Sequence, residues 1–315
     1  MTEQTTPLEE VARTTDPRVV ESFSLLSDKI RLSILLALWE HQYPHGNTRG
    51  ATFSELRRRV GVRDSGKFNY HLDQLSDDFI ERTEDGYVLT KAGARFVRTI
   101  VAWTDSADVT FDSQPVDETC PFCGDKLHVS YEDETLAAAC SSCRGGGSFN
   151  NNTLVNGVFP PSGVESRTPE QSLHAATRYM LHITYVMLDG ICPVCAAEVE
   201  LQLIVCEDHH SADGICGTCG SRFPGLIEMS CSACRAPNMS PTWLYVLNHP
   251  SVIAFHYERE LGYDHTSWEG VFQRALDCDE TVKSTDPPSI ELTFKADGDE
   301  LMLTIDKDLT VVVED

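Results

Sequence analysis

The chain has no cysteine before Cys120, only seven lysines, and no apolar run long enough to cross a bilayer. Each absence narrows the reading. The longest apolar runs, such as Ile34-Leu35-Leu36-Ala37-Leu38, fall far short of the ~18 residues a membrane span needs. The polar stretch Met1 to Asp16 lacks the apolar core of a secretory signal, so a cytoplasmic protein with no membrane partner is expected. The chain also lacks a His-Glu-x-x-His run, a phosphate loop and a nucleophile elbow, and no enzyme is expected.

What is present points elsewhere. A length of 315 residues implies two or three domains, and 41% apolar content is enough to build packed cores. Acidic residues outnumber basic ones 49 to 25, a balance that reads as the heavily solvated surface of a protein from a very salty, halophilic cytoplasm. The imbalance is uneven: residues 1–100 hold 14 Lys/Arg against 15 Asp/Glu, and residues 101–315 hold 11 against 34. A polyanion would therefore be met by the first hundred residues.

Beyond a disordered tail over 1–16, the patterning predicts helices over Val19–Leu26 and Asp28–Trp39, then a turn-rich loop over His41–Gly50. Thr52 is placed to cap a helix over Phe53–Val60 that Gly61 stops, and Asp64 or Ser65 to cap a further helix to about Leu75. Phe79–Thr90 reads as a hairpin turning at Glu84-Asp85-Gly86, and Lys91–Trp103 as a closing helix. That order is the order of a winged helix-turn-helix.

In such a unit the second helix of the turn projects side chains into the major groove. Phe68, Leu72 and Leu75 would anchor that helix, leaving Lys67, Asn69, Tyr70, Asp73 and Gln74 outward. Asn69 and Gln74 suit adenine edges, Lys67 guanine or phosphate, and Tyr70 phosphate. Arg57, Arg58, Arg59 and Arg63 flank the turn; Ser65 and the wing's Arg82 complete the expected DNA contacts.

At these positions the sequence resembles the arsenic-repressor-like (ArsR-type) winged-helix regulators, particularly a branch from halophilic archaea. The resemblance rests on Leu26-Ser27-Asp28-Lys29-Ile30-Arg31-Leu32-Ser33-Ile34-Leu35 and Gly66-Lys67-Phe68-Asn69-Tyr70-His71-Leu72, and continues through Asp85-Gly86-Tyr87 and Leu89 to Gly93, about residues 18–103 in all. It implies a sequence-specific, dimeric transcription regulator bound to double-stranded DNA. Two departures matter. The cysteines with which some members sense metal inside this domain are absent, and the wing carries Arg82 alone beside Glu81, Glu84 and Asp85.

Ten of the twelve cysteines form five Cys-x-x-Cys pairs, a regularity that points to zinc rather than disulfides. Cys120/Cys123 and Cys140/Cys143, with a strand-rich stretch between, make a zinc-ribbon pattern. The remaining pairs, Cys192/Cys195, Cys216/Cys219 and Cys231/Cys234, give six ligands, and Cys206 with His209 brings the number to eight. Cys206, His209, Cys216 and Cys219 can then close one site inside an outer ribbon of Cys192, Cys195, Cys231 and Cys234; cross-braced pairings, and His210 in place of His209, remain open. Up to three structural zinc ions are expected, with Cys278 free.

The expected architecture is α+β: a winged helix-turn-helix over 17–105, an acidic linker over 106–118 and a zinc ribbon over 119–150. A helix plus cysteine-rich domain over 165–282 and a β-hairpin or meander over 288–315 follow. Within the third part a capped helix is predicted from Pro169 to about Leu188, with helical pieces near Val252–Leu261 and Trp268–Leu276. The zinc-held part would supply dimerisation, a protein-partner surface or an effector site. Two other readings are a protein–protein adaptor whose winged helix no longer binds DNA, and a redox or zinc sensor responding through Cys206 or Cys278.

Overall fold

The computed structural model describes residues 25–42, 49–104, 109–143, 145, 153–210, 214–259 and 268–314. The tail over 1–16, most of the helix expected over Val19–Leu26 and part of the loop over His41–Gly50 lie outside them. The chain is a mixed α+β protein that divides into two compact units, Met1–Asp105 and Ser106–Asp315.

The first unit runs α1 (Lys29–Gln42), α2 (Phe53–Val60), α3 (Ser65–Leu75), β1 (Ile80–Thr83), β2 (Gly86–Leu89) and α4 (Lys91–Thr104). Sequence chemistry sets each start. Thr52 and Glu55 form a reciprocal capping box, with Glu55 N–H to Thr52 Oγ1 at 3.3 Å and Thr52 N–H to Glu55 Oε2 at 2.8 Å. Gly61 ends α2 in the left-handed conformation, and Asp64, not Ser65, caps α3 by accepting the Gly66 and Lys67 N–H groups. Such caps contribute about 1 kcal/mol each. One fully buried Leu or Phe contributes about 1.5–3 kcal/mol, so the core dominates stability and the caps decide where helices begin. That core joins Ile34, Leu35 and Leu38 of α1 to Leu56, Phe68, Leu72, Leu75, Ile80 and Val97. Ala51 pairs with Tyr87 at the hairpin's edge, an approach so close that a Cβ on Gly86 (φ +136°) would stand 2.4 Å from the Ala51 oxygen.

In the second unit β3 (Phe111–Thr119), β4 (Lys126–Glu132), β5 (Thr135–Cys140) and β6 (Thr153–Val158) form an antiparallel sheet in sequence order. The stretch expected as an acidic linker over 106–118 is corrected here: from Phe111 it is an edge strand, with Val116 buried and Pro115 on the kind of strand that tolerates proline. The ribbon is likewise larger than 119–150, since β3 and β6 complete it. Helix α5 (Pro169–Leu188) begins at a Thr168/Gln171 capping box with Pro169 in the first turn. Its Leu173 and Ala176 pack on the ribbon, and its Met187 enters the neighbouring core. The helix is thus a core element along both halves.

That neighbouring core holds β7 (Val199–Val205), β8 (Gly225–Cys231), β9 (Pro237–Pro241), α6 (Thr242–Val246), α7 (Pro250–Glu258) and α8 (Trp268–Leu276). The meander β10 (Cys278–Thr285), β11 (Pro288–Ala296), β12 (Asp299–Ile305) and β13 (Val311–Val313) packs into it as well. Ile290, Leu292, Phe294, Leu303 and Ile305 share one apolar cluster with Leu203, Ile227 and Trp243, so 165–282 and 288–315 are not separate modules.

One polar group is misplaced in this interior. Glu280 Oε1 accepts from Thr242 Oγ1 at 2.5 Å and from the Trp243 N–H at 3.1 Å, whereas Oε2 is sealed from solvent with no hydrogen-bond partner. Burial pushes its carboxyl up to about 7, against the lowering effect of the Thr242 hydroxyl and the Trp243 and Gly225 N–H groups. A raised folded-state value means that the buried charge destabilises the fold once the group ionises. Stability from this group is therefore full below its unfolded value of about 4.3 and is lost between there and pH 7. Glu280→Gln should stabilise the protein by about 3–4 kcal/mol at pH 8 and by only about 1 kcal/mol at pH 5, since each pKa unit is worth ~1.4 kcal/mol. Denaturant midpoints across pH read this directly, and an equal effect at both pH values would refute it.

Candidate metal centres and nucleic-acid interface

Four of the Cys-x-x-Cys turns share one backbone form. In each, the N–H of the residue after the second cysteine donates to the carbonyl of the first, and the N–H of the first cysteine donates to the residue two beyond the second. The pairs run Gly124 to Cys120 at 2.8 Å, Ala196 to Cys192 at 2.8 Å, Gly220 to Cys216 at 2.9 Å and Arg235 to Cys231 at 3.1 Å. The donor residue has a positive φ in all four (79°, 61°, 69° and 62°). A left-handed Ala or Arg is disfavoured by about 1–2 kcal/mol, so the turn holds Ala196 and Arg235 in a conformation that their side chains oppose. The result is that both thiols of each pair point the same way.

The ligand atoms gather into three sets of four, each within 4.8 Å of one another: Cys120, Cys123, Cys140 and Cys143; Cys192, Cys195, Cys231 and Cys234; Cys206, His209, Cys216 and Cys219. These are the groupings that spacing suggests, and no cross-braced set forms among the described residues. In the first site Cys120 and Cys143 sulfurs are 3.5 Å apart and Cys123 and Cys140 are 3.4 Å apart. In the second, Cys192 and Cys234 are 3.6 Å apart, and Cys195 and Cys231 are 3.5 Å apart. A tetrahedron with metal–sulfur bonds of ~2.3 Å has edges of about 3.8 Å, so the donor sets fit a tetrahedral ion.

The knuckle N–H groups also favour thiolate. Bonds from the Cys219 and His210 N–H groups hold the Cys216 thiol down to about 6, and the Cys234 N–H does the same for Cys231. Burial pushes Cys140 up, but the Ser142 and Cys143 N–H groups outweigh it and leave the thiol at about 7. Burial raises Cys120, and Cys206 is pushed up to about 11; a cation would have to offset that desolvation.

The choice between His209 and His210 follows from hydrogen bonding. His209 Nε2 lies 3.2 Å from the Arg222 carbonyl, which can only accept, so Nε2 carries the hydrogen and the bare Nδ1 faces Cys219 Sγ at 3.5 Å. His210 contributes its backbone N–H to Cys216 Sγ at 3.4 Å, and its ring lies outside the set.

Cys278 joins none of the three. It is buried at the start of β10, and burial together with Glu280, Asp279 and Asp277 pushes its thiol well above the ordinary range. A thiol so placed is a poor nucleophile. Cys278→Ser should leave the metal count unchanged, and Cys278 should resist iodoacetamide until the fold is opened; mass spectrometry of labelled peptides checks both, and rapid native labelling would contradict the assignment.

The residues expected to meet DNA all belong to the first unit. Phe68, Leu72 and Leu75 are buried, and Lys67, Asn69 and Tyr70 are exposed. Gln74 is half-buried. Asn69 Nδ2 donates to Asp73 Oδ2 at 2.8 Å, one helical turn on. Arg58, Arg63 and Ser65 are exposed; Arg59 is also exposed but pairs with Glu40 at 2.5 Å, and the Arg57 guanidinium lies 5.9 Å from the Phe53 ring. On the hairpin Arg82 stands 5.9 Å over Tyr87. Sequence reasoning missed His71, buried on α3 with Nδ1 3.5 Å from Asp28 Oδ1 at the start of α1. Its position in the same helical row as Phe68 and Leu75 was the available signal.

No helix among the described residues is long and apolar enough to cross a membrane. Residues 117–311, more than half of the chain, match the model of a family described as a domain of unknown function, DUF7351, and the chain belongs to that family. Residues 19–100 match a second model, described as a domain of unknown function, DUF7347. No curated protein and no solved structure matches the chain.

Proposed function

We propose that the chain is a zinc-containing, sequence-specific DNA-binding regulator. Its first unit acts as a winged helix-turn-helix, in line with the sequence's resemblance to ArsR-type regulators, and three structural zinc ions hold the second. The observation that carries this reading is the division of α3 into a buried face of Phe68, Leu72 and Leu75 and an exposed polar face of Lys67, Asn69 and Tyr70, beside Arg58 and Arg63. The Asn69–Asp73 bond supports rather than blocks base reading. An amide carries two N–H hydrogens and a carbonyl, so one bond to Asp73 orients the group and leaves an N–H and the oxygen for adenine. Thiolate-rich tetrahedral donor sets select zinc over harder ions, and four protein ligands leave no open position for hydrolysis, so the zinc in these sites is structural.

As a homodimer the protein would set two α3 helices into major-groove faces about 34 Å apart. The second unit then offers the pairing or partner surface. The exposed acids of the hairpin, Glu81, Glu84 and Asp85, favour a second reading in which the first unit is a protein–protein adaptor. Genome-wide DNA occupancy in the native salty cytoplasm separates them. The regulator reading expects discrete promoter sites sharing one motif; an occupancy no different from an Arg58→Ala, Asn69→Ala double variant would transfer the case to the adaptor.

A further inference from the structure

Arg222 lies between the Cys216/Cys219 turn and β8 and touches the surroundings of two metal sites. Its carbonyl receives His209 Nε2 at 3.2 Å, which aims Nδ1 at the Cys206–His209–Cys216–Cys219 set. Its guanidinium reaches the other way. Nε donates to the Gly145 carbonyl at 3.1 Å, and Cζ sits 3.9 Å over the Phe122 ring. Phe122 lies within the Cys120-Pro121-Phe122-Cys123 turn, and the Gly145 N–H donates to Cys143 Sγ at 3.4 Å. One side chain therefore holds both cysteine turns of the first site. Gly214, between His209 and Cys216, closes over it: at φ +83°, a Cβ there would stand 2.6 Å from a guanidinium nitrogen. Seating Arg222 and ordering the stretch around Cys216 thus require each other.

We propose that Arg222 couples the Cys206–His209–Cys216–Cys219 site to the Cys120–Cys123–Cys140–Cys143 site, so that these two ions are gained and lost together while the third exchanges on its own. The inference rests on the reading that the tetrads hold zinc. Emptying the first of the two frees the Cys216/Cys219 turn, from which Arg222 is only three residues removed. The guanidinium then leaves Phe122 and Gly145, and the ribbon loses its external clamp. Coupling between two binding equilibria is reciprocal, so emptying the ribbon loosens His209 in turn. The Cys192–Cys195–Cys231–Cys234 site sits at the far end of the β7–β8 ladder, which runs from Val199 opposite Cys231 to Val205 opposite Gly225. Val199, Leu203, Ile227 and Met229 bury that ladder in the large core, so its geometry persists whether or not the near site is filled. Metal scarcity would then be registered as one two-ion event within residues 109–223.

The test uses the full zinc-loaded chain, titrated with EDTA and followed by native mass spectrometry. The buried β7–β8 ladder keeps the third site formed, so its ion should leave last; the three-ion and one-ion forms should then dominate, with the two-ion form scarce. Arg222→Lys, which keeps the charge but loses the planar stack and the Nε donor, should make the two-ion form abundant, as should Arg222→Ala. Cys219→Ser should weaken zinc at the ribbon within the 5–150-fold range usual for coupled sites, and should have no such effect in the Arg222→Lys background. Fewer than three ions at saturation overturns the zinc reading and this inference with it. Three ions lost independently from the wild type overturns the coupling alone.

Discussion

Removing the metal should unfold the ribbon and leave the first unit intact. Zinc bound in small thiolate sites contributes an apparent ~10–16 kcal/mol at neutral pH, comparable to or above the ~5–15 kcal/mol that a whole domain has in reserve. The ribbon's core is small, built from Leu127, Val129, Tyr131, Leu136 and Ala138 with a few neighbours, and the β3–β6 sheet closes on its candidate metal site at Cys120 and Cys140. The core around Leu203, Ile227, Phe294 and Leu303 is larger and should survive in part. Hydrogen exchange of the full chain with and without chelator should show lost protection over 111–158 and in the turns at 192–197, 206–222 and 231–236. Protection should persist in α1, α3 and β11. Ligand substitution follows the same logic: Cys231→Ser should remove one ion of three and splay the start of β7 from the end of β8, where Val199 pairs with Cys231. Loss of protection in α1–α3 on chelation would contradict the account, because no cysteine lies in that unit.

The second large effect is expected on DNA. If Asn69 makes a bidentate adenine contact, Asn69→Ala should weaken specific binding by about 1–3 kcal/mol and relax preference at one base pair. Gln74 is half-buried, so Gln74→Ala should cost as much only if the helix enters the groove far enough to uncover it. Arg58→Ala should weaken specific and random DNA alike, with an effect that fades as salt rises, since phosphate contacts act through counterion release. Arg59 differs from its neighbours: its pairing with Glu40 must be broken to reach phosphate, so Arg59→Ala should cost less than Arg58→Ala. Binding isotherms across a salt series distinguish these outcomes, and wild-type affinity in Asn69→Ala would remove α3 from the interface.

What the sequence made legible depends on how strongly local chemistry specifies each element. Helices announced by caps were readable to the residue: Thr52 with Glu55 opens α2 and Thr168 with Gln171 opens α5. In the two four-stranded sheets, the central strands carry enough alternating apolar residues to be seen, as in Leu127-His128-Val129-Ser130-Tyr131 and in Ile290 onward. Of the strands not read from the sequence, β3, β6 and β10 are edges of the four-stranded sheets, whereas β7, β8 and β9 form a sheet of their own beside the cysteine pairs, with β8 central. An edge strand has one side open to solvent and tolerates proline and charge, so the stretch from Phe111 to Glu118 reads as a linker. Cys-x-x-Cys spacing grouped the metal ligands, because the turn itself enforces the geometry. The choice of His209 over His210 depended on the Arg222 carbonyl, thirteen residues away, which no local pattern reports. Nor does composition reveal a carboxyl such as Glu280, whose burial is created by Thr242 and Trp243 from another part of the chain.

The most direct test of the central claim, that the zinc-held chain reads DNA sequence, compares its affinity for a duplex selected from a random library with that for a scrambled duplex as salt rises toward molar. Phosphate contacts weaken together on both duplexes as salt increases, whereas base contacts do not. The account predicts that random binding collapses first and that the ratio between the two affinities stays large at high salt. If no duplex is enriched, or if the two affinities converge on the same value as salt rises, α3 does not read bases and the regulator reading fails.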